Sequence, residues 1–176
     1  MSARASWVSR ADASGIPLLL ARLFVGLLFV WLAWAKIADP INFLKLMRQY
    51  ELVDEQTGFG FMNFITVVLP WLELLCGLAL LAGVALRAAG ILSAGMLLAF
   101  TPLIFSRGLD LFHEAVAGDA SRTFCSIAFD CGCGAGEINL CFKLLENTAL
   151  LLATVLIVAS RSRRFCLGRP RPEVLP

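Results

Sequence analysis

Charged side chains are scarce in this chain: Asp, Glu, Lys and Arg make up 16% of its 176 residues, against about 25% in soluble domains. Hydrophobic residues make up 59% and the mean hydropathy is +0.81, so too few polar residues remain to cover a soluble surface. The same composition excludes an intrinsically disordered chain. A net charge of +2, without a basic cluster on a polar domain, excludes the electrostatic surface that nucleic-acid binding requires.

Other absences narrow the function further. No glycine-rich loop follows a strand pattern, which excludes a dinucleotide-dependent dehydrogenase. No long apolar segment carries the polar stripe that would line a water-filled channel. The chain has one histidine, His113, and its closest cysteines are separated by one residue instead of the roughly two to four typical of zinc sites. No metal site is therefore predicted.

Four segments are long and apolar enough to cross a membrane as helices, which takes about 20 residues each. They cover residues 16–35, 61–86, 88–105 and 140–159. We therefore predict an all-α, integral membrane four-helix bundle over residues 16–160. The first segment is longer than the roughly 7–15 apolar residues of a signal peptide, so we expect it to remain in the protein.

The distribution of basic residues predicts the orientation of the bundle, because cytoplasmic segments are enriched in Lys and Arg. Basic residues dominate the N-terminal segment 1–15 and the tail 161–176, so we expect both termini to be cytoplasmic. The loops 36–60 and 106–139 would then lie on the outer side of a bacterial inner membrane.

Each outer loop contains a short amphipathic segment. Residues 40–52, and less clearly residues 108–118, place apolar side chains at helical spacing. We expect both to form short helices that lie in the membrane interface.

The cysteines give the most specific chemical signal. Four of the six lie within 17 residues of the second outer loop, on the side where disulfides persist: Cys125, Cys131, Cys133 and Cys141. A disulfide across Cys131-Gly132-Cys133 closes a small ring away from the preferred geometry, and strained disulfides are the exchangeable kind. This favours Cys131 and Cys133 as an exchanging pair, with Cys125 and Cys141 as a second pair that relays to it or braces the loop. Two fixed structural disulfides remain the alternative. The disulfide connectivity is open, because four cysteines allow three pairings.

Polar residues within the spans form a second candidate site. Glu73 lies near the middle of the second span, where a carboxylate is costly and usually functional. Arg22 and Lys36 of the first span are both candidate partners, and depth alone does not choose between them. Glu146 and Asn147 of the fourth span complete the predicted polar network. A hydrogen-bonded packing role and a proton-relay role are both open for Glu73.

Three further side chains carry simpler expectations. Cys76 is predicted to be a small core residue, Cys166 a free thiol, and Lys143 a side chain that extends to the membrane surface. Close helix packing is expected at four glycines: Gly77, Gly83, Gly90 and Gly95.

Several stretches resemble known membrane proteins. Two resemble the DoxX-like family: Lys-Ile-Ala-Asp-Pro at 36–40 and Leu-Pro-Trp-Leu-Glu-Leu at 69–74. Three resemble its methylamine-utilisation branch, MauE: Arg-Gly-Leu-Asp at 107–110, Asp-Cys-Gly-Cys-Gly at 130–134 and Leu-Glu-Asn at 145–147. The resemblance extends over about residues 16–160, and Asp-Cys-Gly-Cys is its most specific part.

The resemblance implies a four-helix inner-membrane protein linked to thiol redox chemistry. MauE-type proteins are associated with maturation of a disulfide-rich periplasmic dehydrogenase subunit, alongside a thioredoxin-like partner. Carried over to this chain, only Cys131 and Cys133 take the redox role. Residues 111–129 and the additional cysteines 125 and 141 depart from the family pattern, so a different exported client is open.

The preferred interpretation is a membrane thiol–disulfide redox protein, set in the lipid bilayer, that assists disulfide formation or electron delivery for an exported partner. That partner would be a periplasmic thioredoxin-like protein or a disulfide-containing client. No cofactor is evident, and a quinone is suggested only by analogy with four-helix enzymes of the vitamin K epoxide reductase type. The alternatives are a non-enzymatic membrane assembly or chaperone subunit with structural disulfides, and a small-solute transporter that uses Glu73.

Overall fold

The computed structural model describes residues 15–50, 59–160 and 166–167. Nearly all of the predicted N-terminal segment 1–15 and of the tail 161–176 therefore lies outside the described residues. The described part contains five α-helices, which are α1 Ile16–Ala38, α2 Pro40–Arg48, α3 Phe59–Ala82, α4 Leu86–Gly118 and α5 Leu140–Ala159.

Helices α1, α3, α4 and α5 are each long and apolar enough to cross a membrane, which confirms the predicted four-helix bundle. The second span ends at Ala82, four residues earlier than predicted, because Gly83 takes the left-handed conformation with φ of 72°. The amide of Gly83 then donates to the carbonyl of Leu80, and that of Val84 to the carbonyl of Ala79. This pair of bonds is a Schellman motif, which satisfies the last carbonyls of α3 and turns the chain toward α4.

Helix α4 differs most from the prediction. Residues 108–118 are helical, as expected, but they continue α4 without a break, so that one helix of 33 residues passes through Pro102. At 1.5 Å per residue its length is about 50 Å, well beyond a hydrocarbon core of about 30 Å. Gly108 is where this extension meets α5, since a Cβ there would lie 2.4 Å from the Leu140 side chain.

The predicted helix in the first outer loop is present as α2. The Asp39 side chain accepts a hydrogen bond from the amide of Asn42 at 3.0 Å and so caps its N-terminus. Phe43 and Met47, one turn apart, are the buried residues of α2. The helix therefore presents one apolar edge to the bundle, and residues 51–52 of the predicted segment lie outside the described part.

The bundle is tightest between α1 and α3. A Cβ at Gly77 would lie 2.9 Å from the carbonyl oxygen of Gly26, so the two backbones approach where both helices have glycine. Gly90 of α4 lies against Val158 of α5 in the same way. Close packing is thus confirmed at Gly77 and Gly90, whereas nothing lies within 4 Å of a Cβ at Gly95.

The segment between α4 and α5, residues 119–139, is named here the cysteine loop. After a 3-10 turn, Phe124–Ser126, it forms a small antiparallel hairpin of β1 Ala128–Asp130 and β2 Glu137–Asn139, with Phe129 opposite Ile138. Asn139 then caps α5 by accepting hydrogen bonds from the amides of residues 141 and 142. The hairpin places the cysteines of the loop over one end of the bundle.

Candidate functional site

The four cysteines of this region form two disulfides. Cys131 pairs with Cys133 across the tip of the hairpin, with the Cα atoms 5.3 Å apart. Cys125 pairs with Cys141, 16 residues later, and joins the 3-10 turn to the first turn of α5. The Asn139 side chain also donates a hydrogen bond to the carbonyl of Cys125. Of the three pairings that the sequence leaves open, the structure has the one that the spacing favours.

Cys131 is fixed from several directions. Only 4% of its surface is exposed, and it packs in an apolar cluster with Ile104, Ile127 and Leu140. The Tyr50 hydroxyl donates to its carbonyl oxygen at 2.8 Å. Cys133, in contrast, is half-buried at the edge of the same cluster. The two sulfurs of one disulfide thus have different environments.

Tyr50 is a site residue that the sequence analysis missed. Burial and the nearby Asp130 carboxylate, partly offset by Arg107, raise its pKa to about 12. The phenol therefore remains a neutral hydrogen-bond donor at any physiological pH. As the sole tyrosine of the chain, at the end of an amphipathic segment, it carried no pattern that linked it to a cysteine 81 positions later.

Glycines let the cysteine loop lie against the bundle. Gly134 has φ of 87°, and a Cβ there would lie 2.9 Å both from the Ala35 side chain and from the Leu32 carbonyl. At Gly132, with φ of 70°, a Cβ would come within 3.1 Å of Met47 in α2. Any larger residue would strain the backbone and push the loop away from α1.

Lys36 is the partner of Glu73. Its Nζ atom lies 2.7 Å from Oε1 and 2.6 Å from Oε2, and the two side chains are 7% and 11% exposed. Arg22 lies elsewhere in the bundle, where it donates to the carbonyls of Leu80 and Leu81 at the C-terminal end of α3. The predicted network therefore divides, because Arg22 stabilises a helix terminus while Lys36 neutralises the carboxylate.

Helix α5 adds a second charged pair. The Nζ atom of Lys143 lies 3.0 Å from Oε1 of Glu146, which follows one helical turn later. The Lys143 side chain is only 3% exposed. The expectation that Lys143 extends to the membrane surface is therefore wrong, because an internal carboxylate binds its ammonium group. Asn147, the neighbour of Glu146, donates to the Thr101 hydroxyl of α4 at 3.2 Å.

A cavity brings the two predicted sites together. Its volume is about 50 Å³, enough for a few water molecules. Aromatic, aliphatic and Met side chains form most of the wall, and the remainder comes from the disulfide and from polar residues: Cys131, Gly132, Cys133, Lys36, Glu73, Lys143 and Asn147. The disulfide and the buried charges therefore line the same cavity.

The two remaining cysteines lie apart from this cavity. Cys76 is buried in the bundle core, as predicted. Cys166 is not in a disulfide and accepts a hydrogen bond from Arg22 at 3.2 Å. Among the residues that the structure describes, no three or more His, Cys, Asp or Glu side chains are placed to hold a metal ion.

The fold and the site define a multi-pass α-helical membrane protein with a disulfide-bearing hairpin over one end of its bundle. The chain belongs to the MauE family: the family model described as methylamine utilisation protein MauE matches residues 14–110, more than half of the sequence. The matched region contains Lys36, Tyr50 and Glu73, and it ends before the cysteine loop. No match was found among curated proteins or among solved structures.

Proposed function

We propose that this protein is a membrane thiol–disulfide redox protein that assists disulfide formation in, or electron delivery to, an exported partner. The observation that carries the proposal is the Cys131–Cys133 disulfide, which lies at the tip of a loop and lines a cavity together with buried charged side chains. The partner class we propose is a periplasmic thioredoxin-like protein or a disulfide-containing client.

The proposed location is the bacterial inner membrane, with both termini in the cytoplasm and the cysteine loop in the periplasm. Two features support this orientation. Arg87 begins α4 at the end of the bundle where Arg22 meets the C-terminal end of α3, opposite to the cysteine loop. Disulfides also persist in the periplasm and are reduced in the cytoplasm.

The proposed reaction is a two-step exchange. A thiolate of the partner attacks one sulfur of Cys131–Cys133, the disulfide bond breaks, and a mixed disulfide and one free thiolate of the protein result. The second thiolate of the partner then attacks the mixed disulfide, forms the partner's own disulfide and releases the other cysteine. Two electrons pass from the partner to the protein, and the same steps in reverse reduce a partner disulfide.

Repeated turnover in the oxidising direction needs an electron acceptor, and we propose a membrane quinone. Return of the Cys131–Cys133 dithiol to the disulfide releases two electrons and two protons, which a membrane quinone would accept. The cavity of about 50 Å³ beside the disulfide is too small for a quinone ring, and the N–H groups of Lys143 and Asn147 there already bind Glu146 and Thr101. We therefore assign no quinone site to the described residues.

Trapping of thiols in intact cells tests the proposed function. Cells are treated with an alkylating reagent before lysis, and the labels on Cys125, Cys131, Cys133 and Cys141 are counted by mass. We expect Cys131 and Cys133 to be partly reduced or joined to a partner, and Cys125 and Cys141 to remain oxidised. The matched variants are Cys131→Ser/Cys133→Ser, expected to lose exchange, and Cys125→Ser/Cys141→Ser, expected to retain it.

The opposite result would support a non-enzymatic assembly subunit. In that case all four cysteines would be fully oxidised in cells, and both double variants would lower only the amount of protein. No mixed disulfide would then be found with any exported protein.

A further inference from the structure

The exchanging disulfide is asymmetric in its surroundings. Cys131 is 4% exposed and enclosed by the cluster of Ile104, Ile127 and Leu140, whereas Cys133 is half-buried. A thiolate must approach a disulfide in line with the S–S bond, from the side opposite to the leaving sulfur. Cys133 is therefore the more accessible of the two sulfurs to an external thiol.

Attack on Cys133 creates a thiolate on Cys131, inside the protein. A buried anion is costly unless a cation or hydrogen-bond donors neutralise it. Two ammonium groups line the cavity with Cys131, those of Lys36 and Lys143. Their availability differs, because both oxygens of Glu73 bind Lys36, whereas one oxygen of Glu146 binds Lys143.

We propose that the partner thiol bonds to Cys133, that Cys131 is the leaving sulfur, and that Lys143 is the positioning residue whose ammonium group neutralises the Cys131 thiolate. This inference rests on the proposed function and assigns a role to each side of the disulfide.

The exchange then balances without a further reactant. The partner sulfur forms a bond to Cys133 Sγ, the Cys131–Cys133 bond breaks, and its electron pair stays on Cys131 Sγ. Lys143 donates a hydrogen bond to that thiolate across the cavity. When the second partner thiolate attacks the sulfur of its own chain in the mixed disulfide, Cys133 leaves as the second thiolate.

The other charged groups around Cys131 are bound elsewhere or lie outside the cavity. The Asp130 carboxylate accepts the Gly132 amide at 3.0 Å. Tyr50, which holds the Cys131 carbonyl, is neutral, and Arg107 and Asp110 line a separate pocket beside it. Of the two ammonium groups that line the cavity, that of Lys143 is therefore the less strongly bound to a carboxylate.

The first test identifies the attacked sulfur in the purified, oxidised full-length protein. A short pulse of limiting reduced glutathione is followed by acid, an alkylating reagent and peptide mass mapping. We expect glutathione on Cys133 and the alkyl group on Cys131. Glutathione on Cys131, or an equal division between the two, would overturn the assignment. If neither sulfur accepts glutathione or a protein thiol, the proposed function itself fails.

The second test isolates the role of Lys143. In Cys133→Ser, the rate of Cys131 alkylation is measured against pH with either Lys143→Met or Glu146→Gln added. Opposite charges close to a thiolate change its population by about tenfold or more, so we expect alkylation near pH 7 to slow about tenfold with Lys143→Met. With Glu146→Gln, which leaves the cation without its carboxylate, we expect alkylation to become faster.

The opposite changes in alkylation rate expected for Lys143→Met and Glu146→Gln distinguish an electrostatic role of Lys143 from a structural one. A merely structural role for Lys143 would move both variants in the same direction, and that result would overturn the assignment. Lys45→Met, which removes an exposed lysine of α2, is the matched control and should leave the pH profile unchanged. If Lys143→Met does not fold, the rise expected for Glu146→Gln still decides the question.

Discussion

Removal of one partner from the Lys36–Glu73 pair should be more damaging than removal of both. The Lys36→Met variant leaves the Glu73 carboxylate 11% exposed, without the ammonium group that now lies within 2.7 Å of both its oxygens. An uncompensated buried charge of this kind costs about 3–5 kcal/mol. Because the pair is shielded from solvent, screening should reduce that value little.

A double-mutant cycle measures this effect in the purified protein. At roughly 2–4 °C per kcal/mol for a chain of this size, Lys36→Met or Glu73→Leu should lower the unfolding temperature by roughly 6–20 °C. The double variant Lys36→Met/Glu73→Leu should recover most of that loss, since two apolar side chains of similar volume replace both charges. Lys45→Met is the exposed control and should change little.

Two results would refute this reasoning. If the double variant is as unstable as the sum of the single ones, the two side chains do not interact in the folded protein. If Lys36→Met alone has no effect on the unfolding temperature, Glu73 is not a buried carboxylate that needs this lysine.

Three further predictions concern the cysteine loop and its contacts. Spectrophotometric titration at 295 nm should show the Tyr50 phenol ionising near pH 12 instead of about 10. The stability that the neutral phenol confers on the fold is complete below pH 10 and is lost as the pH rises through 12. The Tyr50→Phe variant should lack this absorbance change. Replacing both Cys125 and Cys141 by Ser should lower the free energy of unfolding by about 3 kcal/mol, the loop-closure value for some 15 residues, and an unchanged denaturation midpoint would contradict the bracing role. Gly134→Ala should destabilise the protein by more than about 1 kcal/mol in the same assay, because φ is 87° and the Cβ has no room, whereas Gly95→Ala should be neutral or stabilising.

Hydrophobicity was sufficient to predict the four spans, since it is a local property of the chain. Cysteine spacing favoured the Cys131–Cys133 pair but left the connectivity of the four cysteines open. The hairpin was not predictable in the same way. Each strand has three residues, too few for the alternation over about 4–8 residues that marks a strand in a sequence. The continuation of α4 through residues 108–118 also left no signal, because a helix beyond the bilayer has the same periodicity as a separate one.

The register of α1 and α3 explains why Glu73 pairs with Lys36 and not with Arg22. The helices meet at Gly26 and Gly77. At 1.5 Å per residue, Lys36 is about 15 Å along α1 from that contact, and Glu73 is about 6 Å along α3 in the same direction. Helical side chains lean toward the N-terminus of their own helix. In this antiparallel pair Lys36 and Glu73 therefore lean toward each other, while Arg22 leans away.

The residues that line the cavity come from two parts of the chain, one inside the region that matches the MauE family and one beyond it. The MauE match covers residues 14–110 and supplies Lys36, Glu73 and most of the apolar wall. The disulfide and Lys143 come from the chain beyond residue 110. The Lys36–Glu73 pair can therefore stabilise the bundle in a family member with a different loop, whereas the proposed exchange needs both parts. Loss of exchange in a Cys131 or Cys133 variant should consequently leave the unfolding temperature of the bundle nearly unchanged, and the Lys36→Met variant should lower that temperature whether or not the disulfide is intact.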